Sequence, residues 1–142
     1  MSTLFTKIIN GEIPGRFVWK DDHVVAFLTI APITQGHTLV VPRDEVDSWT
    51  DASPELLGKV MDVAQKIGKV QEDVFAAKRI GVLVEGFEIE HLHVHVWPAY
   101  SMADFEVHNV DRHPDPTTMD TSGVKLRAGL RAAGHGEFVP AD

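Results

Sequence analysis

Short apolar runs broken by turn residues fill the first third of the chain. Phe17-Val18-Trp19, Val24–Leu28 and His37–Val41 are β-branched and aromatic runs of strand length. Asp21-Asp22 separates the first two, Ala31-Pro32 and Gln35-Gly36 bracket a loop before the third, and Pro42 stops it. Upstream, Ile8 to Gly15 begins apolar and ends in turn residues. The period then changes. Ser53-Pro54-Glu55 combines a capping hydroxyl with proline at the first helical position. Leu56, Leu57, Val60, Met61, Ala64, Ile67, Val70 and Val74 follow at helical spacing, which predicts a long helix ending near Ala77. Two more strands are expected, Ile80–Val84 and Glu90–Trp97, the second ended by Pro98. Beyond residue 100 the chain turns polar and proline-bearing, with an edge strand expected at Asp104–Val107. Asp115-Pro116 opens a second helix over 116–134, with Leu126 and Leu130 on one face and Gly134 as its stop. The last eight residues read as a tail. Strands, long helix, strands and helix predict an α+β fold, an antiparallel sheet with helices packed on it.

Length and charge narrow the classes. At 142 residues a single domain is the simplest organisation, with residues 1–100 as its main body and 101–142 as an extension of it. The formal charge of −8 argues against a nucleic acid or an anionic membrane as partner, since either favours a basic face. It leaves open a small phosphate ligand held by local groups. There is no cysteine, hence no thiol nucleophile and no thiolate metal site. The N-terminus lacks an apolar core after a basic stretch, and no apolar run reaches the ~20 residues of a membrane span. A cytoplasmic protein is expected.

The candidate chemistry lies in His91-Leu92-His93-Val94-His95-Val96-Trp97. On an extended strand alternate side chains share a face. His91, His93 and His95 therefore line one side and Leu92, Val94 and Val96 the other. Two ligand nitrogens on one zinc ion lie about 3.4 Å apart. Residues i and i+4 of a strand are about 13 Å apart at Cα, so three in a row hardly converge on one ion. A metal site would need a further ligand such as His37. Nucleophilic catalysis fits the row better: an imidazole attacks phosphorus while its other nitrogen is held by a hydrogen bond, and flanking imidazoles bind phosphate oxygens and move the proton. No cofactor and no metal centre is expected. Trp97 has the triad's parity and either walls a pocket or packs in the core. His108, His113 and His135 read as surface histidines.

At this point the sequence resembles a known family. His91 to Pro98 resembles the signature of the histidine triad superfamily of nucleotide hydrolases and transferases. Phe5-Thr6-Lys7-Ile8-Ile9-Asn10-Gly11-Glu12-Ile13-Pro14 resembles the family's opening segment. Ala26 to Pro32 and Gly36 to Arg43 resemble its central strands and loop. The resemblance covers about residues 3 to 99. It implies a five-stranded antiparallel sheet with a long helix, and homodimers that join two such sheets. It implies His93 as the nucleophile on the α-phosphate of a nucleotide or nucleoside phosphoramidate. His95 would serve the leaving group, and His91 and His37 would orient the site. Leu4, Phe5, Ile8, Phe27, Thr29 and Ile30 fall at its nucleotide-binding positions.

The departures are as specific. Thr29 stands where the family often has a ribose-binding carboxylate. Thr3, Thr6 and Glu45 stand where many relatives carry the two cysteines and a histidine of a zinc site, which argues against that zinc. Glu85-Gly86-Phe87-Glu88-Ile89-Glu90 replaces a phosphate-contacting stretch. Parity turns Glu88 and Glu90 away from the histidines. Glu85 shares their parity and reads as a solvated loop charge. Three functions remain, in this order: a nucleotide hydrolase or transferase working through a nucleotidyl-histidine, a nucleotide-binding module with little catalysis, and a metal protein using His37 with two triad members.

Overall fold

The structure is a computed structural model that describes residues 2–142. It contains the helices α1 (Leu4–Ile9), α2 (Pro54–Val74) and α3 (Pro116–Leu130). Its strands are β1 (Phe17–Lys20), β2 (Val24–Leu28), β3 (Thr38–Pro42), β4 (Arg79–Leu83) and β5 (Val94–Ala99). The strands form one sheet in the order β1-β2-β3-β5-β4, antiparallel at every pair.

Both faces of the sheet are covered, which is why β2 and β3 are buried along their whole length. On one face Val24, Ala26, Leu28, Val40, Val94 and Val96 pack against α2 and α3. On the other, Val25, Phe27, Leu39 and Val41 pack against Phe5 and Ile8 of α1. The helices start where the chain supplies caps. The Ser53 hydroxyl accepts from Leu56 N–H at 3.1 Å, and the Asp115 carboxylate from Thr118 N–H at 3.0 Å. Helix α2 stops three residues short of the expected end. Ala77 N–H turns back to the Glu72 carbonyl, with Ala76 at φ +50° in the place that glycine usually fills. Buried Gln71 ties this helix to the sheet, its amide donating to the Gly36 and Val96 carbonyls at 2.9 and 3.1 Å.

Four expectations are corrected. The strand expected over Glu90–Trp97 begins only at Val94. Its β3 ladder ends at Val40↔Val94; two positions on, Pro42 has no N–H to offer, and Leu92 N–H goes to the Val46 carbonyl at 2.7 Å. The strand also runs through Pro98 to Ala99, because β3 pairing has already stopped at Val96 and Pro98 meets only β4. Asp104–Val107 is not a strand. The Asp104 carboxylate accepts from Tyr100 and Ser101 N–H and winds Met102–Phe105 into a 3₁₀ turn. Residues 135–142 are not a loose tail. Phe138 stacks on Trp19 at 4.8 Å, and Asp142 pairs with Arg127 and Arg131, holding the segment against the core.

Helix α1 is an element that the hydropathy pattern did not predict. Six residues carry less than two helical turns, too few for a period to show. Its signal is the cap: the Thr3 hydroxyl accepts from Thr6 N–H at 3.1 Å. Helix α3 ends at Leu130 and its path continues through one wide turn to Gly134, whose φ of +94° reverses the chain. It packs on α2 and β1, with buried Arg127 donating to the Phe17 carbonyl at 2.9 Å.

Gly81 lies opposite Trp97 across the β4–β5 pair, and a Cβ there would overlap the indole ring. Gly81→Ala is expected to destabilise the fold by about 1–3 kcal/mol. Chemical denaturation checks this, and an unchanged midpoint would contradict the packing described.

Candidate active site

Strand β5 carries His93 just before it and His95 within it, on the sheet face that α1 covers. Strand β3 sets Leu39 opposite His95 and brings His37, at its entry, alongside. The four imidazoles do not converge on one point. They form two separate chains of hydrogen bonds, and these chains decide which nitrogen carries a proton.

The first chain starts at Ile33. Its N–H donates to His37 Nδ1 at 3.0 Å, so in a neutral ring His37 Nε2 carries the hydrogen. His37 Nε2 then donates to His95 Nδ1 at 3.0 Å. By the same logic His95 Nε2 carries the hydrogen, and it has no hydrogen-bond partner among the described residues. In the second chain His93 Nδ1 donates to the His91 carbonyl at 2.8 Å, which leaves the His93 Nε2 lone pair free. The His93 and His95 rings are 5.0 Å apart. A nucleophilic nitrogen and a proton-donating nitrogen thus stand side by side.

Burial disfavours the charged form of His37, His95 and His91. Desolvation, with the nearby His95, pushes His37 down from its ordinary 6.5 to about 3. Desolvation and the neighbouring His93 push His95 down to about 4, against the opposing pull of the Glu85 carboxylate. His91 is also lowered by burial, although its bond to the Pro42 carbonyl and the charge of Glu45 oppose this.

His91 faces away from this pair and anchors it. Its Nε2 donates to the Pro42 carbonyl at 2.7 Å, and its Nδ1 lies 2.7 Å from the Thr3 hydroxyl. Glu45 completes the cluster, accepting from the Thr6 hydroxyl at 2.6 Å and from Thr3 N–H at 3.1 Å. The hydroxyl of Thr6 holds the Glu45 carboxyl below its ordinary range. Thr3, Thr6 and Glu45 therefore tie α1 and the segment after β3 to His91 by hydrogen bonds.

The apolar positions divide. Phe5 is buried with its ring edge-on to His93 at 4.8 Å and to His91 at 5.8 Å. It also meets Phe27 at 5.6 Å, and Ile8 is buried in the same cluster. Leu4 and Ile30 are exposed, Ile30 at 79%. Thr29 is buried, and its hydroxyl accepts from Ala31 N–H at 3.2 Å. Trp97 is buried, with its ring 5.5 Å from that of His37. His108 and His113 are exposed, and half-buried His135 rests on Trp19.

Glu85 is exposed in a loop, as read, and its carboxylate also reaches the triad. Its Oε1 lies 4.0 Å from His95 Nε2. Gly86, at φ +73°, turns the chain back, and Phe87 N–H donates to Glu85 Oε2 at 3.3 Å. The ligand-type atoms of Glu85, His93 and His95 all lie within 4.8 Å of one another. This trio could hold a cation, but His95 would have to give up its Nε2 hydrogen and with it the chain back to Ile33. His37 is outside the trio, with both ring nitrogens engaged. The strand parity of Glu85 with the triad was the signal that pointed here.

A model of the HIT domain matches residues 10–102. The chain belongs to the HIT family. Among curated HIT relatives, the "Protein hit" of Bacillus subtilis is 31% identical over 134 residues, 87% of this chain and 92% of its own. The purine nucleoside phosphoramidase of Escherichia coli is 36% identical over 104 residues, covering 66% of this chain and 84% of that one. Among solved HIT structures, a zinc-bound histidine triad family protein from Mycobacterium smegmatis superposes with a TM-score of 0.80 at 27% identity. It covers 96% of this chain and 98% of its own. A Hit-like protein from Bartonella henselae gives 0.78 at 33% identity, over 91% and 97% of the two chains. The five-stranded antiparallel sheet and its helices are the HIT fold.

Proposed function

We propose that this chain is a nucleotide-binding hydrolase or transferase that attacks the α-phosphate of a nucleoside phosphoramidate or a dinucleotide-like substrate. The observation that carries the reading is the pairing of a free His93 Nε2 lone pair with the unpartnered Nε2–H of His95. In the first step His93 Nε2 bonds to phosphorus as the P–N bond of a phosphoramidate breaks. The bonding pair goes to the amine nitrogen, which takes the proton of His95 Nε2 while a solvent proton restores that nitrogen, so the ring stays neutral. In the second, water bonds to phosphorus, its proton returns to solvent, and the P–N bond to His93 breaks with its electron pair returning to the ring. His37 positions His95, and His91 positions His93 through its carbonyl. Phe5, Ile8 and Phe27 give the base an apolar wall, with Leu4 and Ile30 at its outer edge and Thr29 near the ribose. The phosphoramidase activity of the Escherichia coli relative supports the reading.

The test is to quench a reaction with an adenosine phosphoramidate and weigh the denatured protein. A covalent nucleotide on His93 is expected. A protein that turns the substrate over without any adduct would overturn the mechanism. A second reading, a nucleotide-binding module with little turnover, is favoured by Thr29, which has one hydroxyl and spends its acceptor on Ala31. Calorimetric binding without turnover or adduct would support it.

The proposal includes one domain, with residues 101–142 as an extension of 1–100, and a cytoplasmic setting. Among the described residues no helix is long and apolar enough to cross a membrane. It also includes a homodimer. Strand β4 is an edge of the sheet, and half-exposed Val82 on it neighbours exposed Met61 of α2. Sedimentation equilibrium is expected to give twice the chain mass, and a charge introduced by Val82→Glu to give monomer.

A further inference from the structure

We propose that Glu85 selects the leaving group: it favours amines that carry a positive charge and disfavours anionic ones. The inference rests on the reading of the site as a phosphoramidate hydrolase and adds the class of amine that it takes.

The argument begins with a mismatch. Glu85 places a carboxylate oxygen 4.0 Å from His95 Nε2, a buried nitrogen with no hydrogen-bond partner among the described residues. The polar atoms of Glu85, His93 and His95 lie within 4.8 Å of one another. Any phosphoryl group held between the two histidines therefore sits within a few ångströms of a negative charge. Among the described residues no lysine or arginine pairs with Glu85. Its side chain is 31% exposed, and Phe87 N–H donates to its second oxygen at 3.3 Å. A bare carboxylate beside a bound phosphate is repulsive. The repulsion is relieved when the substrate itself brings a cation to that point.

The side on which Glu85 stands gives the cation its place. His95 Nε2–H delivers its proton to the atom that leaves, so Glu85, facing the same hydrogen, borders the leaving group. Phe5, edge-on to His93, and the apolar cluster behind it lie across the nucleophile, on the side left for the base. An amine whose chain ends in ammonium can place that group against Glu85. A chain ending in carboxylate cannot, and neither can the polyphosphate of a dinucleotide. A partly exposed pair of this kind is worth up to about 1 kcal/mol in either sense, so the step from anionic to cationic amine spans on the order of tenfold, and at most about thirtyfold, in kcat/KM.

The experiment uses three phosphoramidates of adenosine 5′-monophosphate with one alkyl chain, ending in ammonium, methyl or carboxylate. Each is assayed with the wild-type protein, Glu85→Gln and Glu85→Lys, with and without EDTA. The wild type is expected to prefer the ammonium over the carboxylate substrate by on the order of tenfold, with Glu85→Gln bringing the ratio near one and Glu85→Lys inverting it. A ratio that Glu85→Gln leaves unchanged overturns the role of Glu85 while the hydrolase stands. A preference that disappears with EDTA also overturns it, because the cation is then a metal and not the amine. No turnover of any of the three by the wild type, and no adduct on His93, removes the hydrolase reading and this inference with it.

Discussion

Replacing His93 with alanine is expected to lower phosphoramidate turnover by about 10⁴-fold or more and to abolish the covalent nucleotide. His93 is the imidazole whose Nε2 lone pair is free and whose ring is fixed by a bond from its other nitrogen. No other imidazole can replace it: His37 and His91 have both ring nitrogens engaged, and the relay from Ile33 turns His95 into a donor. His95→Ala removes the proton donor and leaves the nucleophile, so the loss should be smaller, about 10²–10⁴-fold. It should also depend on the amine, being least for one that leaves without a proton. Stopped-flow turnover and the mass of the quenched protein check both. The fold should survive, since truncating His93 strips one carbonyl of its donor, at about 1–3 kcal/mol. A His93→Ala protein that keeps wild-type turnover would end the nucleotidyl-histidine mechanism.

The second large effect is acid sensitivity. His37 and His95 sit well below their ordinary 6.5 in the folded chain, at about 3 and about 4, chiefly because they are buried. The unfolded chain therefore binds more protons over that interval, and acid favours it. Stability should be level above pH 6.5 and fall as pH drops through that value toward 4 and then 3. Each pH unit in the interval costs up to about 1.4 kcal/mol per histidine held neutral. The carboxylates of Asp142 and Glu45, held down by hydrogen bonds, add their own loss only at the acid end. Denaturant melts from pH 7.5 to 4.5 read the slope, and His37→Asn, which cannot be protonated, should make it shallower. A stability that stays flat to pH 5 would mean that these rings are not kept neutral by burial.

The elements legible in the sequence are those with local causes. Ser53 and Pro54 announce α2 and its apolar stripe repeats for five turns, so its start and most of its buried face are read correctly, while Met61 of that stripe is exposed and Val63, outside it, is buried. The parity of the triad strand likewise puts Leu92, Val94 and Val96 in the core. The elements that were not legible depend on partners far along the chain. Strand β5 starts late because Pro42, across the sheet, has no N–H. The C-terminal segment is ordered by Trp19, Arg127 and Arg131, none of which marks it locally. Within the site, the alternation of the histidines was visible and the tautomers were not. Those of His37 and His95 follow from one backbone N–H of Ile33, in a loop that no periodicity describes, and that of His93 from the His91 carbonyl. Glu85 had the right parity, but only the turn at Gly86 brings its carboxylate to His95.

Trp97 gives the molecule its own optical gauge. Its indole is wedged between Phe105 and the His37 ring, with its N–H donated to the Asp104 carbonyl at 2.8 Å. A protonated imidazole quenches a neighbouring indole, and a rigid, dry surrounding blue-shifts its emission. Trp49 is half exposed and emits to the red, and Trp19, stacked on Phe138, belongs to the opposite face of the sheet. With Trp49 and Trp19 exchanged for phenylalanine, the emission of Trp97 would report the charge state and occupancy of the histidine cluster in real time, without any label.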